Sequence, residues 1–287
     1  MTTSSPMLWI IFNLGIIALL CFDALVLNPK DRVMTLRRAL GMTAFWLLLA
    51  LLFNLSVYFW LGNQHALEFL AAYVVEQSLS IDNLFVFLLI FSYFKIPPVQ
   101  QRKVLLWGII SAQIMRAVFI LGGMALLNHF HWMMYIFGVV LFMTGIKLFF
   151  KKSEEIHPEN NPILKMLKSR LSLFFLVLIV IETTDLIFAV DSIPAVLAIT
   201  KNPFIAYSSN IFAILGLRAM YFALASFMKV FHHLHYALGI ILIFIGFKML
   251  TEGVLHVPVV VTLAFILLTL MVTVITSVLC QPKPAQK

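Results

Sequence analysis

Residues 181–194 read IETTDLIFAVDSIP, and residues 75–83 read VEQSLSIDN. Both stretches lie inside long apolar segments, where burying a charged side chain in a bilayer costs about 2.5–3.5 kcal/mol or more unless a partner compensates. An acidic residue in such a segment is a functional candidate by default. Five of them in two related stretches indicate a polar pathway through a membrane protein, and transport is the first interpretation.

The composition predicts a membrane protein. Hydrophobic residues make up 62% of the 287, charged residues only 11%, and the mean hydropathy is +1.04. About 20 apolar residues span a bilayer as a helix, and the chain contains nine such windows: 7–27, 37–60, 66–94, 103–127, 131–150, 171–199, 204–227, 234–251 and 257–280. We therefore expect an all-α polytopic fold of about nine transmembrane helices, a single transmembrane domain over residues 1–287, embedded in the lipid bilayer.

The basic residues give an orientation signal. The net charge is +8, and all but four of the 20 Lys and Arg residues fall in loops on one side of the predicted bundle or in the C-terminal tail. Lys201 and Lys248 fall on the opposite side, and Arg116 and Arg218 lie within spans. The positive-inside rule then places the N-terminus outside and the C-terminus in the cytoplasm. The charge therefore does not indicate a nucleic-acid partner.

The two halves of the chain resemble each other. Three pairs of motifs match at offsets of 109, 102 and 101 residues, namely Asp82-Asn83 with Asp191-Ser192, Arg116-Ala117 with Arg218-Ala219, and Gly138 to Gly145 with Gly239 to Gly246. We predict one repeat at about 66–150, a cytoplasmic connector at about 151–170 and a second repeat at about 171–251. Three helices in each unit force the second copy to insert upside down, as in many secondary transporters.

The candidate binding site combines in-span acids with neutral oxygen donors. Its predicted ligands are Asp23, Glu76, Asp82, Asn83, Glu182, Asp185, Asp191 and Ser192. Oxygen ligands without a nearby thiol suit a hard or borderline divalent cation such as Mn²⁺, Mg²⁺ or Ca²⁺. In the alternative interpretation, the carboxylates pair with arginines or stay protonated and only hold the bundle together, although two arginines cannot neutralise six acids. Arg116 and Arg218 are structural counter-ions or gating groups, and the sequence leaves both roles open.

Pro194 suggests how the second stretch is shaped. A proline inside a helix removes one backbone hydrogen bond and crowds the preceding turn. We therefore expect a kink or break around residues 190–193, which would free carbonyl oxygens to act as ligands and could turn Asp191 toward the other acids.

Three motifs carry a resemblance to a known family. They are EQSLSIDN with FVF at 76–87, ETTDLIFAVDSIPA at 182–195 and SNIFAILGLRAMY at 209–221. The chain resembles the TerC family over nearly its whole length, and especially the bacterial Alx branch, from which it departs in a shorter connector. The resemblance implies a bacterial inner-membrane protein of the LysE-like transporter superfamily, associated with manganese export and tellurite resistance. It also implies that the family's acidic residues fall at Asp23, Glu76, Asp82, Glu182, Asp185 and Asp191.

These observations lead to one expected function and one alternative. We expect export of a divalent metal, most of all Mn²⁺, by alternating access of two inverted halves, with protons competing for the same carboxylates. The alternative is a membrane scaffold or redox and stress-response component that transports nothing. The sequence has no Walker A loop, dinucleotide fingerprint or zincin motif, so we expect no enzyme and no organic cofactor. The oligomeric state is left open.

Overall fold

The described residues are helical and contain no β-strand. The computed structural model describes residues 6–23, 35–130, 132–150, 173–227, 234–251, 253–255 and 257–279, so the predicted connector at 151–170 lies outside them. The helices are α1 (Pro6–Phe22), α2 (Leu36–Leu61), α3 (Asn63–Tyr93), α4 (Pro98–His129), α5 (Met133–Phe150), α6 (Leu173–Ile199), α7 (Pro203–Leu215), α8 (Leu217–Phe227), α9 (Leu234–Thr251) and α10 (Val259–Leu279).

The lengths and hydropathies of these helices confirm a multi-pass membrane protein. Within the described ranges, five helices are long and apolar enough to cross a membrane, namely α2, α3, α4, α6 and α10. A sixth span results if α7 and α8, which are bent by 41° relative to each other, are taken as one. Helices α1, α5 and α9 are apolar but shorter, and each overlaps a predicted window. Nine spans therefore remain a prediction.

The second half of the chain bends at a different residue from the one expected. Of the kink or break predicted around residues 190–193, the break is wrong, because α6 runs without interruption across Pro194, and the kink stays a prediction. Prolines are tolerated in transmembrane helices where neighbouring groups satisfy the freed backbone. The bend lies instead at Gly216, between α7 and α8, and it divides the span predicted at 204–227. Arg218 thus lies in the first turn of α8.

Helix α3 lies at the centre of the bundle and α10 at its periphery. In the apolar window of α3, 73% of the residues are buried, against 17% for α10. Helix α3 contacts α2, α6, α7, α8, α9 and α10, whereas α10 exposes large side chains such as Leu268 and Met271. The most enclosed long helix therefore carries both acids of residues 75–83, and the side chain of Glu76 is buried in the bundle.

Helices α5 and α9 pack tightly through glycines. A Cβ added to Gly145 would lie 2.7 Å from the carbonyl oxygen of Gly239, and one added to Gly246 would lie 2.7 Å from that of Gly138. Small residues allow this close approach of transmembrane helices. The two helices are therefore antiparallel. In the sequence alignment of the halves, the contact between Gly145 and Gly239 is equivalent to the contact between Gly246 and Gly138. A two-fold relation between the halves would produce this reciprocity, but the inverted repeat itself stays a prediction.

Candidate functional site

Arg116 joins two of the predicted acids in the interior. Its side chain is only 1% exposed. Its Nη2 donates to Asp185 Oδ1 at 3.1 Å and its Nε to Asp185 Oδ2 at 3.4 Å, while Nη1 forms an ion pair with Glu76. Helix α4 therefore places one guanidinium between a carboxylate of α3 and a carboxylate of α6. A buried ion pair of this kind is strongly destabilised when one partner is removed.

The two acids that Arg116 contacts would occupy equivalent positions in the predicted repeats. The offset of 109 residues that relates Asp82 to Asp191 also relates Glu76 to Asp185. Arg116 itself belongs to the first half only. A single guanidinium thus connects corresponding acids of the two stretches. The sequence left open whether the arginines are counter-ions or gating groups. The ion pairs of Arg116 are compatible with both roles, which stay predictions.

Glu182 lies beside this pair and has no ion pair with an arginine among the described residues. It is one helical turn from Asp185 on the same face of α6. Its Oε1 accepts a hydrogen bond of 2.6 Å from Ser111 Oγ, and a Cβ added to Gly108 would lie 3.4 Å from the same oxygen. The buried Oε2 has no hydrogen-bond partner among the described residues. Glu182 therefore keeps an oxygen available for a ligand.

A small cavity lies against these side chains. Its volume is about 20 Å³, enough for one water-sized group. It is lined by Leu84, Phe87, Leu105, Gly108, Ile109, Ala112, Arg116, Ile181, Glu182, Asp185, Ile214 and Leu217. The polar members come from α4 and α6, and the rest of the lining is almost entirely apolar. Charged groups in such surroundings interact more strongly than they would in water.

Neutral oxygen donors lie on the same helices as the acids. Asn83 is 4% exposed and Ser192 is 1% exposed. The hydroxyls of Ser192 and Ser80 have no hydrogen-bond partner within the part of the chain that is described. Asp82 belongs to α3 and Asp191 to α6, but their side chains lie outside the described residues. Their role as ligands therefore stays a prediction.

Asp23 and Arg218 form a separate ion pair. Asp23 follows the last residue of α1, and both side chains are buried. Arg218 Nη2 pairs with Asp23 Oδ2 and also donates to the backbone oxygen of Asp23 at 3.3 Å. This contact ties the end of α1 to the first turn of α8. The second predicted arginine thus pairs with a different acid from those that Arg116 contacts.

The structure brings some of the predicted site residues together and not others. Glu76, Asp185 and Arg116 are in direct contact, and Glu182 shares the small cavity with Asp185 and Arg116. Among the described residues, no three His, Cys, Asp or Glu side chains meet closely enough to hold a metal ion. Arg116 accounts for this at Glu76 and Asp185, because its guanidinium lies between the two carboxylates.

The sequence reasoning missed a buried acid at one end of α3. Glu68 is 6% exposed, although it falls inside the predicted window 66–94 and the count of in-span acids should have included it. It lines a cavity of about 810 Å³ together with His65, Lys201 and Lys248. This larger cavity is distinct from the smaller one that the predicted acids line, so size alone does not identify the site.

Two further residues that the sequence did not single out are Ser111 and Asn210. Ser111 contacts Glu182, and no spacing in the sequence signals that contact. Asn210 is fully buried on α7, and neither of its amide atoms has a partner among the described residues. Its signals in the sequence are an amide in the apolar window 204–227 and its place inside the motif at 209–221.

Comparison with known proteins gives a consistent result. Residues 61–285 match the model of the family described as integral membrane protein TerC. A Salmonella typhi protein named Alx, a membrane-bound redox modulator by its description, is 38% identical over 96% of this chain and 95% of its own. A Myxococcus xanthus membrane protein described as uncharacterized is 38% identical over 97% of this chain and 94% of its own. No solved structure matches.

Proposed function

Because this chain belongs to the TerC family of integral membrane proteins, we propose that it exports a divalent metal ion, Mn²⁺ in particular, across a bacterial inner membrane. Its relatives are bacterial membrane proteins of similar length. The metal is the cargo of this protein, and the proposed function involves no chemical reaction of a substrate.

One observation carries the proposal. The buried carboxylates of Glu76 and Asp185 and the half-buried carboxylate of Glu182 lie close together, and among the described residues Arg116 is the arginine that pairs with the first two. The Oε2 atoms of Glu76 and Glu182 have no hydrogen-bond partner among the described residues. Retaining excess negative charge in a membrane interior is costly, and a cation that passes through would compensate it.

The ligand chemistry favours a hard or borderline cation. Carboxylate, amide and hydroxyl oxygens line this part of α3 and α6, and they suit Mn²⁺, Mg²⁺ or Ca²⁺ better than thiophilic metals. Cys21, the free cysteine among the described residues, is exposed on α1. We choose Mn²⁺ among these ions on the family resemblance.

Alternating access is the mechanism we propose for export. The site would lie where the two related stretches meet, because Arg116 contacts equivalent acids of both. The reciprocal glycine packing supports two halves related by a two-fold axis, since Gly138 packs against Gly246 and Gly145 packs against Gly239. Rocking of one half against the other would then open the site to each side in turn.

Proton coupling completes the proposed cycle. Once the metal leaves, the carboxylates need another cation, and protons from the outer side or the guanidinium of Arg116 can supply it. Liposomes that contain the purified protein and a trapped pH dye test this. Mn²⁺ entry should move protons in the opposite direction, and Mn²⁺ flux without any pH change would remove proton coupling from the proposal.

The main test is Mn²⁺ transport by the reconstituted protein. The parent should carry Mn²⁺ into liposomes that hold a metal-sensitive dye. Glu182→Gln, which keeps an oxygen to accept from Ser111 but loses the charge, should slow entry by roughly 10- to 100-fold. Thr184→Val is a matched control, because this hydroxyl donates to the carbonyl of Val180 within the same helix.

The same measurement tests the alternative. A scaffold would move no metal in the parent or in any variant. The same holds for a redox component, which is what the description of the Salmonella typhi relative names for that protein. Mn²⁺ entry at equal rates in the parent and in Glu182→Gln would leave transport standing and remove this carboxylate from the site.

A further inference from the structure

We propose that the amide oxygen of Asn210 is a ligand of the transported cation, an assignment that rests on the export function proposed above. Asn210 belongs to α7, outside the two acidic stretches. It would extend the site from α3 and α6 to a third helix and add a neutral oxygen to a set dominated by carboxylates.

The first argument is that Asn210 is buried without a partner. The side chain is 0% exposed, and neither Oδ1 nor Nδ2 has a hydrogen-bond partner among the described residues. Leaving a buried polar group unsatisfied costs about 1–3 kcal/mol. A residue that retains an amide at this cost is a candidate for binding something that passes through.

The neighbouring serines show that α7 can satisfy its buried polar groups locally. Ser208 and Ser209 are as buried as Asn210. Their hydroxyls donate to the backbone oxygens of Ile205 at 3.4 Å and Ala206 at 3.2 Å. The amide of Asn210 makes no such contact, so its unpartnered state is specific to this residue and is not shared along the helix.

The second argument is the position of Asn210 between two apolar clusters. Helices α3, α6 and α7 contribute to both. The first cluster includes Val75, Ile193 and Ala206. The second includes Leu84, Ile181 and Ile214. On each of the three helices, a polar segment therefore lies between the two apolar levels.

In the sequence, the polar segments of the three helices lie between members of the same two clusters, and we therefore place them in one layer. On α3 it contains Glu76 and Ser80, and on α6 it contains Asp185, because these residues fall between the members of the two clusters in the sequence. On α7 Asn210 is midway between Ala206 and Ile214, four residues or roughly 6 Å from each along the axis and on nearly the same face.

Ile214 connects this face of α7 to the carboxylates. It lines the small cavity together with Arg116, Glu182 and Asp185. Asn210 therefore lies one helical turn from a residue that shares a cavity with the acidic cluster. The unpartnered hydroxyl of Ser80 belongs to the same layer.

The chemistry of an amide oxygen fits this place. Carbonyl oxygens of Asn are regular ligands of hard divalent cations. A neutral donor adds coordination without adding charge, so the site does not become more negative when the cation leaves. Asn210 would thus hold the cargo in this layer while the carboxylates exchange Arg116 for the metal ion.

The test is Mn²⁺ binding to the full-length protein purified in detergent, measured by titration calorimetry. Asn210→Ala should weaken binding roughly 10-fold or more. Asn210→Asp, which keeps an oxygen at the same distance from the backbone, should retain binding. Ser208→Ala and Ser209→Ala are matched controls on the same helix and should bind within about twofold of the parent.

A stability measurement separates a ligand from a structural residue. Asn210→Leu replaces an unpaired amide with an apolar group of similar size, so its melting temperature without metal should equal or exceed that of the parent. Its Mn²⁺ binding should be lost nevertheless. Parent-like binding in Asn210→Ala would overturn the proposal. A parent that binds no Mn²⁺, Mg²⁺ or Ca²⁺ would instead overturn the export function on which it rests.

Discussion

Glu68 and Glu76 lie eight residues apart on α3, and their carboxylates have different partners. Both are buried, at 6% and 0% exposure. Glu68 receives hydrogen bonds from Gln64 at 3.1 Å and from Thr200 at 2.7 Å, and its Oε2 lies 3.1 Å from His65 Nδ1. Glu76 has the ion pair with Arg116, and its Oε2 has no hydrogen-bond partner among the described residues.

This difference separates a structural acid from a candidate ligand. A carboxylate whose oxygens accept from nearby neutral donors is stabilised where it lies and gains little from a cation. A carboxylate held by one guanidinium can exchange that partner for a metal ion. Burial alone therefore does not identify function in a membrane interior, and the partners of each buried acid must be compared.

The largest expected effect comes from removing the cation that holds Glu76. Arg116→Gln leaves Glu76 and Asp185 without a counter-ion, which should lower stability by about 3–5 kcal/mol. Mn²⁺ should then raise the melting temperature of the variant more than that of the parent, because the metal replaces the missing charge. Thermal unfolding in detergent measures both. Arg116→Lys, which keeps the charge but loses the two-pronged contact with Asp185, is the matched control.

A second prediction addresses Glu76 itself. Glu76→Gln should reduce Mn²⁺ transport in liposomes by roughly 100-fold, because the amide keeps the shape of the side chain and loses its charge. The protein should remain folded, because Arg116 keeps its ion pair with Asp185. Parent-like transport would show that the ion pair with Arg116 is only structural, and the contrast with Glu68 would disappear.

The smallest effect is expected at Glu68. Glu68→Gln should leave Mn²⁺ transport within about twofold of the parent. It replaces one acceptor oxygen with an amide nitrogen, so a buried donor is left unpaired and stability falls by about 1–3 kcal/mol. Both quantities come from the same purified sample. A loss of transport as large as that of Glu76→Gln would mean that the cavity of about 810 Å³ beside Glu68 belongs to the transport path.

Several features follow from the sequence without a structure. The apolar windows predict the helices, since spanning length and hydropathy are local properties, and every described helix overlaps a predicted window. The motifs at 76–87, 182–195 and 209–221 indicate the TerC family, which the match over residues 61–285 confirms. The acids were identified as candidates because charges are costly in membrane segments.

The tertiary structure decided which polar groups meet. The sequence contains Arg116 and Arg218 in matching positions, but only the packing of α4 against α6 and α3 gives Arg116 two acids, while Arg218 pairs with Asp23. Side-chain partners depend on the rotation and offset of whole helices, which composition and periodicity do not encode. The position of the bend has the same origin, since α6 continues through Pro194 and the chain bends at Gly216.

The sequence by itself thus determined that this protein is a helical membrane protein with acids in its interior. The reason is that the hydropathy of a segment and the free-energy cost of a charge within it depend on that segment alone. Only the tertiary structure showed that Glu68 is satisfied by neutral donors, that Glu76 is held by Arg116 and that Asn210 has no partner. The physical reason is that satisfaction of a buried polar group is a property of its neighbours in space, and those neighbours come from distant parts of the chain.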